Sequence, residues 1–358
     1  MDINKKLTFP VKLLPLLNGA DNAVICPYGI KNVLSMVAEG ARDESLEQIL
    51  YVLGFDSLEE LRESVLAVQD SRCSAFESEN SLELEKGTEN LALLSKFKQI
   101  LEERYNASVG ELASAGEAAL LLRNIADFKA DWFYKMERDT SHEMHFYNAD
   151  GTESYPAYLC ATQDYLRYYK HEKEDGQYTC INAVAIPYKF NNERIPYELV
   201  LIDSKKELTI EGLENIFNNM RLQECELAFP EFSIKNRYDL IPVMKCLGLN
   251  TIFSQNFLGF DKIATQPLYA ESFSQEAKIE VDKNGTVAKA VTDMDSHLGD
   301  FLDEPEQIVF NKPFHYFLRN TTTGEILFMG KVNKLEDCER NESVDPVDLT
   351  TLFDRVIV

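Results

Sequence analysis

Apolar side chains recur at intervals of three and four residues in two segments, which is the spacing of one face of an α-helix. The shorter series consists of Leu34, Val37 and Ala41. The longer series consists of Leu91, Leu94, Phe97, Leu101 and Tyr105. Both segments are therefore predicted to be helical, the second over residues 91–105.

A different period appears near residue 290, where small side chains occupy every second position. The small residues are Thr286, Ala288, Ala290 and Thr292, and the residues between them are Val287, Lys289 and Val291. Alternate side chains of an extended strand point to the same face. A face that bears only small side chains can enter between two existing strands without overpacking the layer beneath. The segment is predicted to be a loop that can become a strand.

Composition limits the possible partners. The chain has 358 residues, of which 45% are hydrophobic, and it has no apolar run long enough to cross a bilayer. Length alone would favour two domains. The chain has 36 basic and 60 acidic side chains, a formal net charge of −24. Such a charge repels polyanions, so we expect no nucleic acid, no membrane and no heparin-type cofactor as a partner.

Three local features bear on the compartment. Seven cysteines are scattered without a Cys-x-x-Cys pair or a framework spacing, so reduced thiols are expected. The first residues lack the pattern of a secretory signal. Asn284, Gly285 and Thr286 form an N-glycosylation acceptor within the small-residue segment, where an attached glycan could not enter a sheet. We expect a cytoplasmic protein, and the sequence leaves secretion open.

Catalytic and metal-binding motifs are poor. The sequence has no Gly-x-Ser-x-Gly elbow, no phosphate-binding glycine loop and no His-Glu-x-x-His helix. His142 and His145 lie three residues apart with Glu143 between them, but a zinc site would need a third ligand. We interpret these histidines as surface residues and expect no metal, no cofactor and no enzymatic activity.

A family resemblance extends over most of the chain. Residues 280–289 (EVDKNGTVAK) resemble the reactive-loop hinge of the serpins. Further segments that resemble serpin signatures, in the family's order, are residues 24–30 (VICPYGI), 124–132 (NIADFKADW), 186–188 (IPY), 230–232 (PEF), 311–314 (NKPF) and 324–331 (GEILFMGK). The number and order of these matches identify the chain as a member of the serpin family.

The resemblance implies an α+β serpin fold in one domain, residues 1–334, in place of two domains. It implies a large central sheet A, sheets B and C, surrounding helices and an exposed reactive-centre loop at about residues 283–305. Serpins typically place helix F and its return loop in the segment between Tyr105 and Trp132. That segment is too short here for both, so helix F is predicted to be absent or much reduced. Residues 335–358 are predicted to be an acidic C-terminal extension, either a flexible tail or a docking peptide.

The resemblance also implies a function that needs no catalytic group of this chain. A target protease, expected to be a serine endopeptidase, cleaves the loop and forms a covalent acyl-enzyme. Insertion of the loop as a strand of sheet A then traps the protease. We expect a monomer that acts as such a suicide substrate; the alternative is a noninhibitory serpin that acts as a binding or chaperone-like protein. The implied hinge residues are Gly285, Thr286, Ala288, Ala290 and Thr292.

Several positions that control sheet opening in serpins depart from the family pattern. The two serines of the shutter, the polar cluster beneath sheet A, fall at Cys26 and Gly29. The shutter histidine falls at Gln275, whereas the shutter asparagine is kept as Asn124. At the breach, the upper end of the sheet, Trp132 is kept and Lys283 takes a position that is usually acidic. We predict that the polar cluster is rebuilt; core packing and strand capping are the plain interpretation of Trp132 and Asn124.

The scissile bond has three candidates. Counting fourteen residues from Gly285, as in typical inhibitory serpins, places the residue before the cut at Gly299, which fills no protease pocket. Leu298 is chemically preferable because it suits a chymotrypsin-like or subtilisin-like pocket. Asp300, which suits an aspartate-directed protease, is the second candidate, and Gly299 the third.

Overall fold

A computed structural model describes residues 3–19, 21–70, 75–85, 91–105, 107, 109–112, 119–171, 181–204, 207–255, 260, 262–263, 267–286 and 305–339. Within these ranges, no helix is both long and apolar enough to cross a membrane. The described residues form helices and three β-sheets, which confirms the α+β fold class.

The described α-helices are α1 (Ile3–Leu13), α2 (Pro27–Gly40), α3 (Asp43–Leu53), α4 (Leu58–Asp70), α5 (Leu91–Tyr105), α6 (Ile210–Asn219) and α7 (Ile241–Cys246). Short 3₁₀ turns follow at Leu14–Leu17 and Thr251–Phe253. The helix predicted from the longer apolar series is confirmed as α5. The shorter series lies in α2, which is buried along its whole length and begins with Pro27, a residue suited to a first helical turn.

The first nine strands are β1 (Ala23–Ile25), β2 (Phe76–Glu85), β3 (Val109–Leu112), β4 (Ala119–Phe128), β5 (Ala130–Trp132), β6 (Glu137–Asp139), β7 (Phe146–Tyr147), β8 (Glu153–Ser154) and β9 (Tyr158–His171). The others are β10 (Ile181–Phe190), β11 (Glu193–Ser204), β12 (Arg221–Pro230), β13 (Phe232–Asp239), β14 (Tyr269–Val281), β15 (Gly285–Thr286), β16 (Glu306–Val309), β17 (Phe314–Asn320) and β18 (Ile326–Val332).

A five-stranded sheet with the order β13-β14-β4-β2-β3 corresponds to the expected sheet A. Its central strands β14 and β4 are parallel, and β13 and β2 flank them in the antiparallel sense. Buried and more exposed side chains alternate along β14, as in a strand with one face on the core. We call the pairing between β14 and β4 the seam.

The strands of sheets B and C form one continuous eleven-stranded sheet. The long strand β9 joins them: it pairs with β10 over Arg167–His171 and with β12 over most of its length. One part has the order β1-β18-β17-β11-β10-β9, and β12 and β16 continue beyond β9. Strands β7 and β8 form a separate two-stranded sheet.

Two apolar clusters lie beneath sheet A. Leu82, Leu122 and Phe273 belong to the cluster shared with the helices. Phe128 and Ile279 belong to the cluster shared with the eleven-stranded sheet. The seam therefore passes over both clusters, and any strand that enters it would cover both.

The described residues between α5 and β4 include strand β3 and no helix, in agreement with the predicted loss of helix F. The outward face of sheet A is polar where such a helix would lie. In β2, the outward residues Glu77, Glu79 and Glu83 lie on the strand that buries Phe76 and Leu82 on its other face. A charged face is hydrated without a covering helix, which explains how the sheet tolerates its absence.

Candidate functional site

The seam joins β14 and β4 along only part of the sheet. Their parallel register runs from Tyr269 opposite Ala119 to Ala277 opposite Ala126. Beyond this point β14 continues to Val281, and the chain of β4 continues, after Lys129, as β5. A gap therefore opens at the upper end of the sheet, between the end of β14 and β5.

A tight hairpin turn follows β14 and directs the chain into this gap. Asp282 and Gly285 form an antiparallel bridge, with Asp282 N donating to Gly285 O at 2.9 Å. The Asp282 carboxylate accepts hydrogen bonds from the N–H groups of Asn284, at 2.7 Å, and Gly285, at 3.2 Å. An aspartate that bonds the backbone two residues later is a common means of fixing a turn.

Gly285 has a backbone conformation and a packing environment that exclude other residues. Its φ of +144° is rarely adopted by residues with a Cβ, and a Cβ would lie 2.1 Å from the carbonyl oxygen of Ala130. Glycine is thus the residue that lets the turn approach β5 closely.

The short strand β15 occupies the gap. Gly285 pairs with Asp131 and Thr286 with Ala130, antiparallel to β5, while the Asp282–Gly285 bridge connects the same segment to β14. Thr286 is 1% exposed, and its hydroxyl lies 2.9 Å from the Tyr188 hydroxyl. The first hinge residues are therefore already placed between the two strands, antiparallel to both.

Trp132 donates two hydrogen bonds to the backbone of this turn. Its indole Nε1 donates to Asp282 O at 2.8 Å, and its backbone N–H donates to Asn284 O at 3.0 Å. The indole also stacks on the ring of Tyr188, with centroids 4.7 Å apart and an interplanar angle of 15°. Burial raises the pKa of Tyr188, so its hydroxyl stays protonated and able to bond Thr286.

Lys283 lies at the exposed tip of the turn. Trp132 contacts the backbone carbonyls on either side of Lys283, so the breach contact does not depend on the side chain at position 283. The unusual charge there is accommodated for this reason.

Asp131 is the titratable group beneath the hinge. Burial raises the pKa of its carboxyl; Lys189 lowers this pKa and Asp282 raises it. One of its oxygens, Oδ1, is buried and accepts no hydrogen bond. Because the folded form holds a proton more tightly than an exposed aspartate, the stabilising contribution is present at low pH and is lost as the pH rises through the folded pKa.

Gln275 on β14 bonds both Asn124, across the seam, and the backbone of Cys26, which precedes α2. Its Oε1 accepts from Cys26 N at 2.9 Å, and its Nε2 donates to Cys26 O at 2.9 Å. The same Nε2 donates to Asn124 Oδ1 at 2.7 Å, directly across the seam. Gln275 and Asn124 are both fully buried, so these bonds have no competition from water.

Asn124 extends this cluster away from the seam. Its Nδ2 donates to Ser78 Oγ at 3.0 Å and to Asn80 Oδ1 at 2.8 Å on strand β2. Sequence reasoning missed Ser78 and Asn80. Their alternation in β2 was a signal: Asn80 lies directly opposite the buried Asn124, and Ser78 is its diagonal neighbour on the same face, so both are suited to bond its amide.

Gly29 and Cys26 stand at the helix end below the cluster. A Cβ at Gly29 would lie 2.2 Å from Asn124 Oδ1, so the Asn124 amide occupies the space that a larger residue would need. Cys26 caps α2 by accepting the Gly29 N–H at its Sγ, 3.3 Å away, and burial raises the pKa of its thiol to about 12. The structure thus brings Cys26, Gly29, Asn124 and Gln275 together.

The remaining predicted site residues lie outside the described residues; they are Ala288, Ala290, Thr292, Leu298, Gly299 and Asp300. Of the two histidines, His142 contacts Cys338 and His145 pairs with Glu153. Among the described residues, no group of three or more His, Cys, Asp or Glu side chains could hold a metal ion.

Comparisons with known proteins agree with this geometry. The family model described as Serpin (serine protease inhibitor) matches residues 4–119 and 112–335. Iripin-2 of Ixodes ricinus is 24% identical over 88% of this chain and 88% of its own length. Plasminogen activator inhibitor 1 of Neovison vison is 24% identical over 87% of this chain and 86% of its own length.

The solved structure of native protease nexin-1 with heparin has the same fold. It matches with a TM-score of 0.74 at 19% identity, over 93% of this chain and 99% of that chain. The chain belongs to the serpin family.

We predict that Gln275→Leu destabilises the closed sheet. The substitution leaves the Cys26 N–H and the Asn124 Oδ1 buried without their partner, while Cys26 O keeps the Ile30 N–H. The free energy of unfolding should therefore fall by on the order of 3 kcal/mol. Urea denaturation measures the change. Gln99→Leu is the control, because Gln99 bonds Glu103 at the surface of α5. Equal midpoints for the two variants would contradict the assigned role of Gln275.

Proposed function

We propose that this serpin is a suicide-substrate inhibitor of a serine endopeptidase, which acts by loop cleavage and strand insertion. One observation carries the proposal: β15 lies between β14 and β5, antiparallel to both, with Thr286 buried. Continued entry of the loop along this path would make it a strand of sheet A. The family description and the names of the relatives support inhibition as the activity.

The register of the hairpin supports continued insertion. If the Asp282–Gly285 pairing continues residue by residue, the small hinge residues face positions of β14 that point into the core. The four pairs are Thr286 with Val281, Ala288 with Ile279, Ala290 with Ala277 and Thr292 with Gln275. All four partners on β14 are buried, so the small side chains would enter the covered face.

Insertion is favourable because it replaces one parallel seam by two antiparallel ones. Antiparallel pairing is slightly more stable per residue than parallel pairing. An inserted strand of about ten residues that gains about one net hydrogen bond per residue, at ~1 kcal/mol each, contributes on the order of 10 kcal/mol. The buried face adds to this, since the seam crosses both apolar clusters.

The protease supplies all of the covalent chemistry. Its nucleophile attacks the carbonyl carbon of the scissile bond, the amine of the next residue leaves, and the loop remains attached as an acyl-enzyme. Insertion then moves the attached protease before water completes the deacylation. Whether the protease is trapped or released depends on the rate of insertion relative to the rate of deacylation. Residues that favour or block entry of the loop into sheet A therefore decide whether the chain acts as an inhibitor or as a substrate.

The proposal includes no polyanionic cofactor. The net charge of −24 opposes one, and Arg62 on α4 is already paired with Glu39 at 2.6 Å and Glu59 at 2.7 Å. We also propose action as a monomer in the cytoplasm. The acceptor Asn284 lies in the turn two residues before the buried Thr286, and a glycan at this turn would obstruct insertion.

We predict that Thr286→Arg converts an inhibitor into a substrate. The substitution places a charge at the first inward position, which must be buried without a partner, so insertion stalls. A panel of serine and cysteine proteases should yield a covalent complex that survives boiling in detergent with the wild type. The variant should yield mainly cleaved chain.

Val287→Arg is the matched control, because the same register, if it continues, would direct residue 287 outward, opposite Glu280. It should retain the covalent complex. Inhibition by Thr286→Arg at the level of wild type would refute insertion as the mechanism. A wild-type chain that every protease only cleaves or ignores would instead favour the noninhibitory alternative.

We predict that an inhibited protease cuts after Leu298. A branched apolar side chain fills an apolar specificity pocket, whereas Gly299 offers none. Mass spectrometry of the fragment released from the complex locates the cut. Leu298→Asp should abolish inhibition of a protease with an apolar pocket, whereas Asp300→Ala should not. A cut after Asp300 would assign an aspartate-directed protease instead.

We predict that the Thr292 hydroxyl stabilises the inserted form. Insertion separates Gln275 from Asn124, and Thr292 is the residue that the register places opposite Gln275. Its hydroxyl can replace the lost bond, whereas the isosteric valine cannot. Thr292→Val should reduce the stability gained on cleavage by about 1 kcal/mol, measured in guanidinium, and Thr292→Ser should retain it. Equal gains in both variants would remove Thr292 from this role.

A further inference from the structure

The dipeptide Asn-Gly occurs twice in this chain, at Asn18–Gly19 and at Asn284–Gly285. Asn-Gly is especially prone to deamidation, because glycine has no side chain to hinder the approach of its backbone nitrogen to the asparagine side chain. The second pair lies in the hairpin turn that directs the chain into the gap beside β5. A chemically reactive pair therefore stands at the base of the hinge.

Deamidation needs only water as a co-reactant. The glycine nitrogen attacks the side-chain carbonyl carbon of the asparagine, and the new C–N bond closes a succinimide ring. The glycine N–H proton and the side-chain NH₂ group leave together as ammonia. Water then opens either carbonyl of the ring, which gives aspartate or isoaspartate, the form in which the main chain runs through the side-chain carbon. Both products carry a negative charge that asparagine lacks.

The hinge turn suppresses the first step at Asn284. The attacking Gly285 N–H is shared between two acceptors of Asp282, the carboxylate Oδ1 and the backbone carbonyl oxygen, each at 3.2 Å. The same carboxylate oxygen accepts the Asn284 N–H at 2.7 Å. Attack requires the Gly285 nitrogen to lose its proton, and a neighbouring carboxylate disfavours a second negative charge beside it.

The backbone of this pair is also fixed on both sides. Trp132 N donates to Asn284 O at 3.0 Å, and Asp282 N donates to Gly285 O at 2.9 Å. Gly285 is buried so closely against β5 that a Cβ would lie 2.1 Å from Ala130 O. Ring closure has to rotate the peptide group between Asn284 and Gly285 toward the Asn284 side chain. These contacts oppose the rotation, so the reaction requires local opening of the turn.

The first pair provides an internal reference. Asn18 and Gly19 are both exposed, after the 3₁₀ turn Leu14–Leu17. Within the described part of the chain, the Gly19 N–H donates no hydrogen bond, and a Cβ on Gly19 would meet no atom closer than 4.0 Å. The same dipeptide is thus free at one place and held at the other, so a difference in reactivity reports the turn and not the dipeptide.

We propose that Asn284 is a deamidation site whose reactivity is controlled by the hinge turn. While Asp282, Trp132 and β5 hold the turn, Asn284 keeps its amide. When the turn leaves β5, the Gly285 nitrogen attacks and Asn284 is converted. This reaction needs no target protease, so it is independent of the inhibitory function.

Both products oppose the return of the turn to β5. Isoaspartate adds one main-chain atom before Gly285, so Gly285 and Thr286 lose their register with Asp131 and Ala130. Aspartate keeps the register but adds a carboxylate two residues from that of Asp282, which already disfavours the charged form of Asp131. Conversion to isoaspartate therefore makes the departure of the turn permanent.

Peptide mapping by mass spectrometry tests the proposal, on the full-length chain incubated at neutral pH in water enriched in ¹⁸O. Each deamidation incorporates oxygen from this water, which distinguishes it from conversion that occurred earlier. In the native wild type, Asn18 should be converted at least about tenfold faster than Asn284. Asp282→Ala removes the carboxylate that holds the turn, so it should accelerate conversion of Asn284 about tenfold or more and leave Asn18 unchanged.

Asp150→Ala is the matched control, because the Asp150 carboxylate accepts the Thr152 N–H at 3.0 Å in a turn of the same kind. It should change neither rate. In urea, where the hinge turn is absent, Asn18 and Asn284 should react at similar rates; this comparison needs no variant and stands even if Asp282→Ala does not fold. Control by the turn is refuted if Asn284 reacts as fast as Asn18 in the native wild type, if a folded Asp282→Ala chain leaves Asn284 slow, or if Asn284 stays slow in urea.

Discussion

The parallel pairing of β14 with β4 is the constraint on which the rest of the structure depends. A strand between two parallel neighbours can be antiparallel to both, and a hairpin after β14 supplies a strand of that direction. The Asp282–Gly285 turn, the close approach of Gly285 to β5 and the burial of Thr286 all follow from this one arrangement.

The polar cluster beneath the seam contributes one side-chain hydrogen bond between β14 and β4. Gln275 bonds both Asn124 and the backbone of Cys26, so separating β14 from β4 breaks, besides the backbone pairing, one side-chain bond of this cluster, while the two bonds to Cys26 can persist. Asn124 likewise retains Ser78 and Asn80 on its other side. If β14 and β4 separated, Gln275 would thus remain bonded on the β14 side and Asn124 on the β4 side.

Sequence reasoning predicted helix α5 from the spacing of its apolar residues and the large sheet A from the family motifs. It predicted the loss of helix F from the short length of the segment between Tyr105 and Trp132. It also singled out Gln275, which the structure places in contact with Asn124 and Cys26. It could not predict that Gly29 leaves room for the Asn124 amide, or that Ser78 and Asn80 complete the cluster, because these contacts join strands far apart in sequence. The eleven-stranded continuity through β9 also depends on pairing that no local pattern reveals.

The chain contains a single tryptophan, and it lies directly beneath the hinge. Its indole N–H bonds the Asp282 carbonyl while its ring stacks on Tyr188. Departure of the turn would leave the indole without this partner in a changed environment. The molecule therefore carries its own fluorescent reporter of the Asp282–Gly285 turn, free of background from other indoles and without any attached dye.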